Sequence, residues 1–205
     1  MSDDQNTPLY PGATDTRYHR LYIQRTKTWP LRYEIRQATR SHQPGDVLCY
    51  AQGRLGQVRR SMNFYADEAR TTPMFSYRAR YPVLTKNTFD ILDTSDGPLG
   101  WFAKDLGKSF FNATITFASY RLEGLGKDSQ LMENRFKKIL DYGGSVRFSF
   151  VLPNIKDVMT VRRGYGEHDP YFVDIVKQND GRQLDWRVGA AIAVGMDHML
   201  NHMRG

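Results

Sequence analysis

Apolar and polar residues alternate one by one through much of this chain, the period of a β-strand with one buried face. In LRYEIR (31–36), Leu31, Tyr33 and Ile35 fall on one side and the charged residues on the other. FSYRARY (75–81) does the same with Phe75, Tyr77, Ala79 and Tyr81, which sets Arg78 and Arg80 on the opposite face. TFDILD (88–93) alternates Phe89 and Ile91 with Asp90, meets the turn DTSDGP, and resumes as LGWFAKD (99–105). SVRFSFV lines up Val146, Phe148 and Phe150, and DVLCYA carries Cys49 on a further alternating strand. YFVDIV (171–176) is apolar on both sides, which predicts a well-buried strand. Aromatic and β-branched enrichment supports each of these strands.

A weak repeat underlies the alternation. MNFYADEARTTPMFSYRAR, NTFDILDTSDGPLGWFAK and SVRFSFVLPNIKDVMTVRR each read as strand, polar turn, strand, then a basic residue or pair. Successive hairpins of this kind build meandering sheets and barrels.

Two segments break the rhythm. KDSQLMENRFKKILDYGG (127–144) offers Asp128 or Ser129 as a cap and Leu131, Met132, Phe136, Ile139 and Leu140 at helical spacing, stopped by Gly143-Gly144. It predicts one short inserted helix packed on a sheet edge or barrel mouth; a membrane-facing or partner-facing helix is the alternative. Near the C-terminus, the Asp180-Gly181 turn precedes DWRVGAAIAVGMDHML (185–200), with Asp185 as cap and Trp186 and Arg187 opening the helix. Val188 to Met196 is apolar or glycine at every position, so that stretch must be surrounded on all sides. Spanning a bilayer takes roughly 20 apolar residues. Asp197 and His198 end this run well short of that, which predicts a core helix over 185–203 in place of a membrane anchor.

Length and composition narrow the class. The 205 residues, 40% hydrophobic and 25% charged, suit one sizeable globular domain over 16–205 after a mobile polar tail at 1–15. That opening is acidic and polar, unlike a signal peptide. A single cysteine excludes an internal disulfide and a cysteine metal cluster and suits a reducing, cytoplasmic setting. The formal charge of +7 favours anionic partners, although the basic residues come singly or as the pairs Arg59-Arg60, Lys137-Lys138 and Arg162-Arg163.

Candidate chemistry is sparse. The sequence contains no G-x-S-x-G elbow, no phosphate-cradling G-x-x-x-x-G-K-[ST] loop and no H-E-x-x-H pair, so a non-enzymatic protein without cofactor or metal is expected. His198 and His202 share a helical face, but two ligands do not close a site. EHDP (167–170) reads as a solvated hairpin loop, and DTSDG (93–97) as a tight glycine turn, lacking the alternating oxygen ligands of a calcium loop. Cys49 reads as a small core residue. Basic and aromatic residues interleave in SYRARY, a pattern of single-stranded nucleic-acid grooves. Strand alternation separates those arginines from the tyrosines, which weakens that reading.

A run of β-hairpins followed by one all-round apolar helix resembles the tubby C-terminal-like superfamily, in particular its LURP-one-related branch and the phospholipid scramblases. The resemblance covers about residues 20 to 200 and is most specific over DPYFVDIVKQNDGRQLDWRVGAAIAVGMDHM. It implies a mainly β fold: a closed, twelve-stranded antiparallel barrel around a hydrophobic C-terminal helix. Two departures stand out. The segment 122–144, with its predicted helix, looks like an insertion, and the acidic calcium-binding, proline-rich and cysteine-rich regions of the scramblases are missing. The family's recognition of phosphoinositide headgroups implies a binding or scaffold role at the cytoplasmic membrane surface, with anionic phospholipid as partner. Arg78, Arg80, Lys86, Lys104, Arg162 and Arg163 follow or close predicted strands and are the candidate headgroup ligands. A nucleic-acid-binding or protein-interaction barrel is the alternative function.

Overall fold

A computed structural model describes residues 18–53, 61–81, 87–105, 114–119, 122–123, 136–140, 146–152, 155–163, 169–177 and 183–201. The alternating segments become strands. β1 (Tyr18–Thr28), β2 (Leu31–Ala38), β3 (Pro44–Gly53), β4 (Ser61–Tyr65), β5 (Pro73–Ala79), β6 (Asn87–Asp93), β7 (Pro98–Asp105) and β8 (Thr114–Ser119) form one meander, each antiparallel to the next. β9 (Leu122–Glu123) pairs outside the main sheet with β14 (Gln183–Leu184). β10 (Phe136–Leu140), β11 (Val146–Leu152), β12 (Ile155–Arg163) and β13 (Tyr171–Val176) form a second meander. β13 lies antiparallel to β1, with Leu21 opposite Val173, and this joins the two meanders into one sheet. The order is β10-β11-β12-β13-β1-β2-β3-β4-β5-β6-β7-β8.

The sheet curls around α1 (Trp186–Asn201). That helix touches β13 and β1 as well as β5 and β7, which stand far apart in the strand order, so the ladder must bend round it. Burial follows the pleat: Leu21, Ile23, Tyr33, Ile35, Phe64 and Tyr77 have no exposed surface, and residues between them are partly exposed. Aromatic rings fill one side of the core. Phe64 stacks on Phe75 at 4.0 Å between centroids, Phe89 on Phe102 at 5.0 Å, and Tyr77 meets Phe89 and Phe102 edge-on.

The helix fits because it is thin. Val188, Ala190, Ala191, Ile192, Ala193, Val194 and Met196 are wholly buried. A Cβ on Gly189 would lie 2.8 Å from Ile175 Cδ1, and one on Gly195 would lie 2.5 Å from Phe102 Cε2. The cap is the expected one: Asp185 accepts the Arg187 N–H at 2.9 Å, and Arg187 returns its guanidinium to the same carboxylate. Among the described residues no helix is long and apolar enough to cross a membrane.

The three repeats correspond to the β4–β5, β6–β7 and β11–β12 hairpins. In the β6–β7 turn the Asp93 carboxylate accepts the N–H groups of Ser95 and Gly97, and Asp96 takes the left-handed conformation at φ 60°. The expected helix over 128–144 is corrected where the chain is described. Phe136–Leu140 is strand β10, with Phe136 opposite Phe150 and Leu140 opposite Val146. The apolar positions 136, 139 and 140 satisfy a helical period locally, but pairing with β11 overrides it. Two smaller readings also change. β13 alternates buried and partly exposed residues. Tyr81 lies past the end of β5 and is 43% exposed, whereas strand alternation put it inward. The tail 1–15, the Asp180-Gly181 turn, Glu167, His168, Lys86, His202 and the rest of 124–144 outside β10 lie beyond the described residues.

Candidate functional site

Sequence neighbours Arg162 and Arg163 occupy the end of β12, where alternation sends them through opposite faces of the sheet. Each reaches an aspartate, so the pair straddles two charged clusters, one outside the sheet and one inside.

The outer cluster is assembled from four places in the chain. Arg20 on β1 stands opposite Asp174 on β13 and donates Nε to its carboxylate at 3.2 Å. Arg162 donates to the other carboxylate oxygen at 2.9 Å. His42, in the β2–β3 turn with φ 61°, brings Nε2 within 3.2 and 3.4 Å of the same two oxygens and against the Arg162 guanidinium. The turn itself is held by His42 N–H donating to the Thr39 carbonyl and Gln43 N–H to Thr39 Oγ1. Beneath lies a row of rings: His42 meets Phe172 edge-on at 5.4 Å, and Phe172 meets Tyr22 at 5.6 Å. Two guanidiniums therefore share one carboxylate. The positive charge exceeds the negative, and the Arg162 side chain is 34% exposed.

The inner cluster surrounds Asp197, which is 1% exposed on α1. Tyr33 donates its hydroxyl to Asp197 Oδ2 at 2.6 Å, and Tyr171 donates to Oδ1 at 2.8 Å. Arg163 lies 3.0 Å from Oδ1 and also donates to the Tyr171 hydroxyl; Arg25 stands 3.6 Å from Oδ2. A buried carboxylate is tolerated only with such partners. Burial, reinforced by the Asp197 charge, pushes both tyrosine hydroxyls well above their usual range. The sequence showed Asp197 only as the residue that ends the apolar run of the helix; its partners come from four strands, β1, β2, β12 and β13.

The remaining candidate ligands are dispersed. Arg80 forks onto Asp90 at 2.5 to 3.2 Å beside Trp101, and Arg78 is largely exposed, 3.9 Å from Asp96. Both belong to the β5 region, with β13, β1, β2, β3 and β4 lying between it and β12 in the strand order. Lys104 on β7 stands opposite Asn87 and Ile115. The six candidates therefore do not form one patch: Arg162 belongs to the outer cluster and Arg163 turns inward. Arg20 and His42 join the site unannounced, because neither closes a predicted strand.

Cys49 is fully buried, and burial pushes its thiol up. His19, at the cap end of α1, is held at about 4 by burial, with the Asp185 charge acting in the opposite direction. Among the described residues no group of three or more His, Cys, Asp or Glu side chains is placed to hold a metal ion. No protein-family model matches this chain, and no curated protein shows significant similarity to it.

Proposed function

We propose that this domain binds anionic phospholipid headgroups at the cytoplasmic membrane surface, as a non-enzymatic binding or scaffold module. The observation that carries the reading is the outer cluster, where Arg20, Arg162 and His42 converge on the single carboxylate of Asp174 over a floor of aromatic rings. Two guanidiniums with one counter-ion retain donors for phosphate oxygens, and Arg offers them in a planar fork suited to bidentate contacts. The net charge of +7 adds attraction toward an anionic surface.

In the same reading the twelve strands close into a tubby C-terminal-like barrel around α1. The central position of β1 between β13 and β2, the all-round burial of the helix, and the approach of β8 and β10 to within 8 Å support closure.

Liposome flotation tests the function. The protein is expected to float at low salt with vesicles containing phosphatidylglycerol or phosphoinositide and to remain unbound with phosphatidylcholine alone. Arg162→Ala and Arg20→Ala should each weaken partitioning about fivefold, the worth of roughly 1 kcal/mol per surface cation. Absence of recruitment at low salt defeats the proposal. A salt-dependent gel shift stronger than the lipid binding transfers it to nucleic acid.

A further inference from the structure

Among the described residues three large apolar side chains are exposed: Tyr18 at 37%, Tyr81 at 43% and Trp29 at 74%. Trp29 sits at the tip of the two-residue β1–β2 turn and is the most exposed of the three. Its end of the sheet is shared. β1 and β5 run in the same direction, four antiparallel steps apart, so Trp29 just past β1 and Tyr81 just past β5 lie at one end, with Tyr18 at the other. This is also the Asp197 end of α1, because Asp197 meets Tyr33 near the start of β2.

The neck of the turn is unusual in its charge. Lys27 and Arg32 stand directly opposite each other in the β1–β2 ladder, after a bulge between Arg25 and Lys27. Like charges in that position repel. No acidic residue occurs between Arg25 and Tyr33, and Glu34, the nearest one on β2, is engaged by Arg36. Neither Lys27 nor Arg32 forms an ion pair among the described residues, and Arg32 Nε is buried without a hydrogen-bond partner. An exposed indole at a loop tip costs solvation, and two facing cations cost repulsion. Both costs are relieved by one partner: an anionic bilayer, whose interface favours Trp and whose phosphates neutralise the cations.

We infer that the β1–β2 turn is a membrane-insertion tip: the Trp29 ring enters the interfacial layer of an anionic bilayer while Lys27 and Arg32 take headgroup phosphates. This rests on the headgroup reading above and names the part that enters the membrane. Arg20 near the start of β1 and Trp29 past its end reach one bilayer together when β1 lies along its surface.

The test uses the full chain with phosphatidylcholine vesicles, with and without phosphatidylglycerol. Trp29→Ala, at an exposed position, should keep its near-ultraviolet circular dichroism and lose about tenfold in partitioning, the equivalent of withdrawing one large side chain from an apolar contact. Lys27→Ala and Arg32→Ala should each lose about fivefold, most clearly at low salt. Brominated lipid should quench the tryptophan emission of the bound wild type. The quenching should vanish in Trp29→Phe, because Trp186 is buried and Trp101 lies half-buried in the sheet. Wild-type flotation with unquenched emission and a Trp29→Ala variant that binds equally well overturns the insertion tip and leaves headgroup binding standing. Failure of the wild type to float at all overturns both.

Discussion

Replacing Asp197 by asparagine should be among the most damaging single-atom changes available in this protein. The carboxylate accepts from Tyr33 at 2.6 Å and Tyr171 at 2.8 Å and faces Arg163 at 3.0 Å and Arg25 at 3.6 Å, all at 1% exposure. Asparagine keeps one acceptor oxygen and turns an NH2 group toward donors that no longer have anywhere to donate. The two guanidiniums in the interior then lose the Asp197 charge that they face. Removing one partner of a buried ion pair costs about 3–5 kcal/mol. A domain of this size holds about 5–15 kcal/mol in all. The thermal midpoint should therefore fall by about 10 °C, at roughly 2–4 °C for each kcal/mol. Urea and thermal unfolding followed by circular dichroism would read this directly. Tyr33→Phe, which removes one hydrogen bond and leaves the charge balanced, should cost only about 1–2 kcal/mol. The double variant should cost less than the sum, since both changes act on one network. An Asp197→Asn protein within about 1 kcal/mol of wild type refutes the clamped carboxylate.

Two further outcomes follow from the core. His19 is held at about 4 in the folded protein against 6.5 when free, so its folded-state value is depressed. Its contribution is complete above pH 6.5 and is lost as pH falls toward 4, by about 3 kcal/mol. The urea midpoint of His19→Gln should fall less over that window, and an identical acid limb in both proteins contradicts the assignment. Gly195→Ala sets two effects against each other. Helix propensity favours alanine by about 1 kcal/mol, whereas overpacking costs about 1–3 kcal/mol. The clash with the Phe102 ring, itself stacked on Phe89, decides for destabilisation. A rise in thermal midpoint shows that the helix is not packed this tightly.

Most strands with one apolar face were legible, because period-two alternation is a property of each segment alone, although β1 and β8 went unpredicted. Arg78 and Arg80 are accordingly found opposite Tyr77 and Ala79. The helix was legible for a related reason: a stretch without a polar face admits one environment. Residues 136–140 were misread because five residues cannot distinguish the two periods, and the deciding partner, β11, lies elsewhere in the chain. The charged clusters were hidden more deeply. Nothing local in Arg20, His42, Arg162 or Asp174 reveals that β1, β12, β13 and the β2–β3 turn meet. Adjacent Arg162 and Arg163 looked like one basic pair, but the pleat divides them between the outer surface and the core.

The pairing of β1 with β13 also sets a schedule for synthesis. Arg20 and Asp174 are 154 residues apart along the chain. At about 5–20 residues per second, β1 leaves the ribosome on the order of ten seconds before its second neighbour exists. Through that interval Leu21 and Ile23 lie on an open strand edge, and the space that α1 will fill has no occupant. Assembly dominated by such distant contacts is slow, so the nascent first meander is the stage at which this protein most needs protection from its own copies.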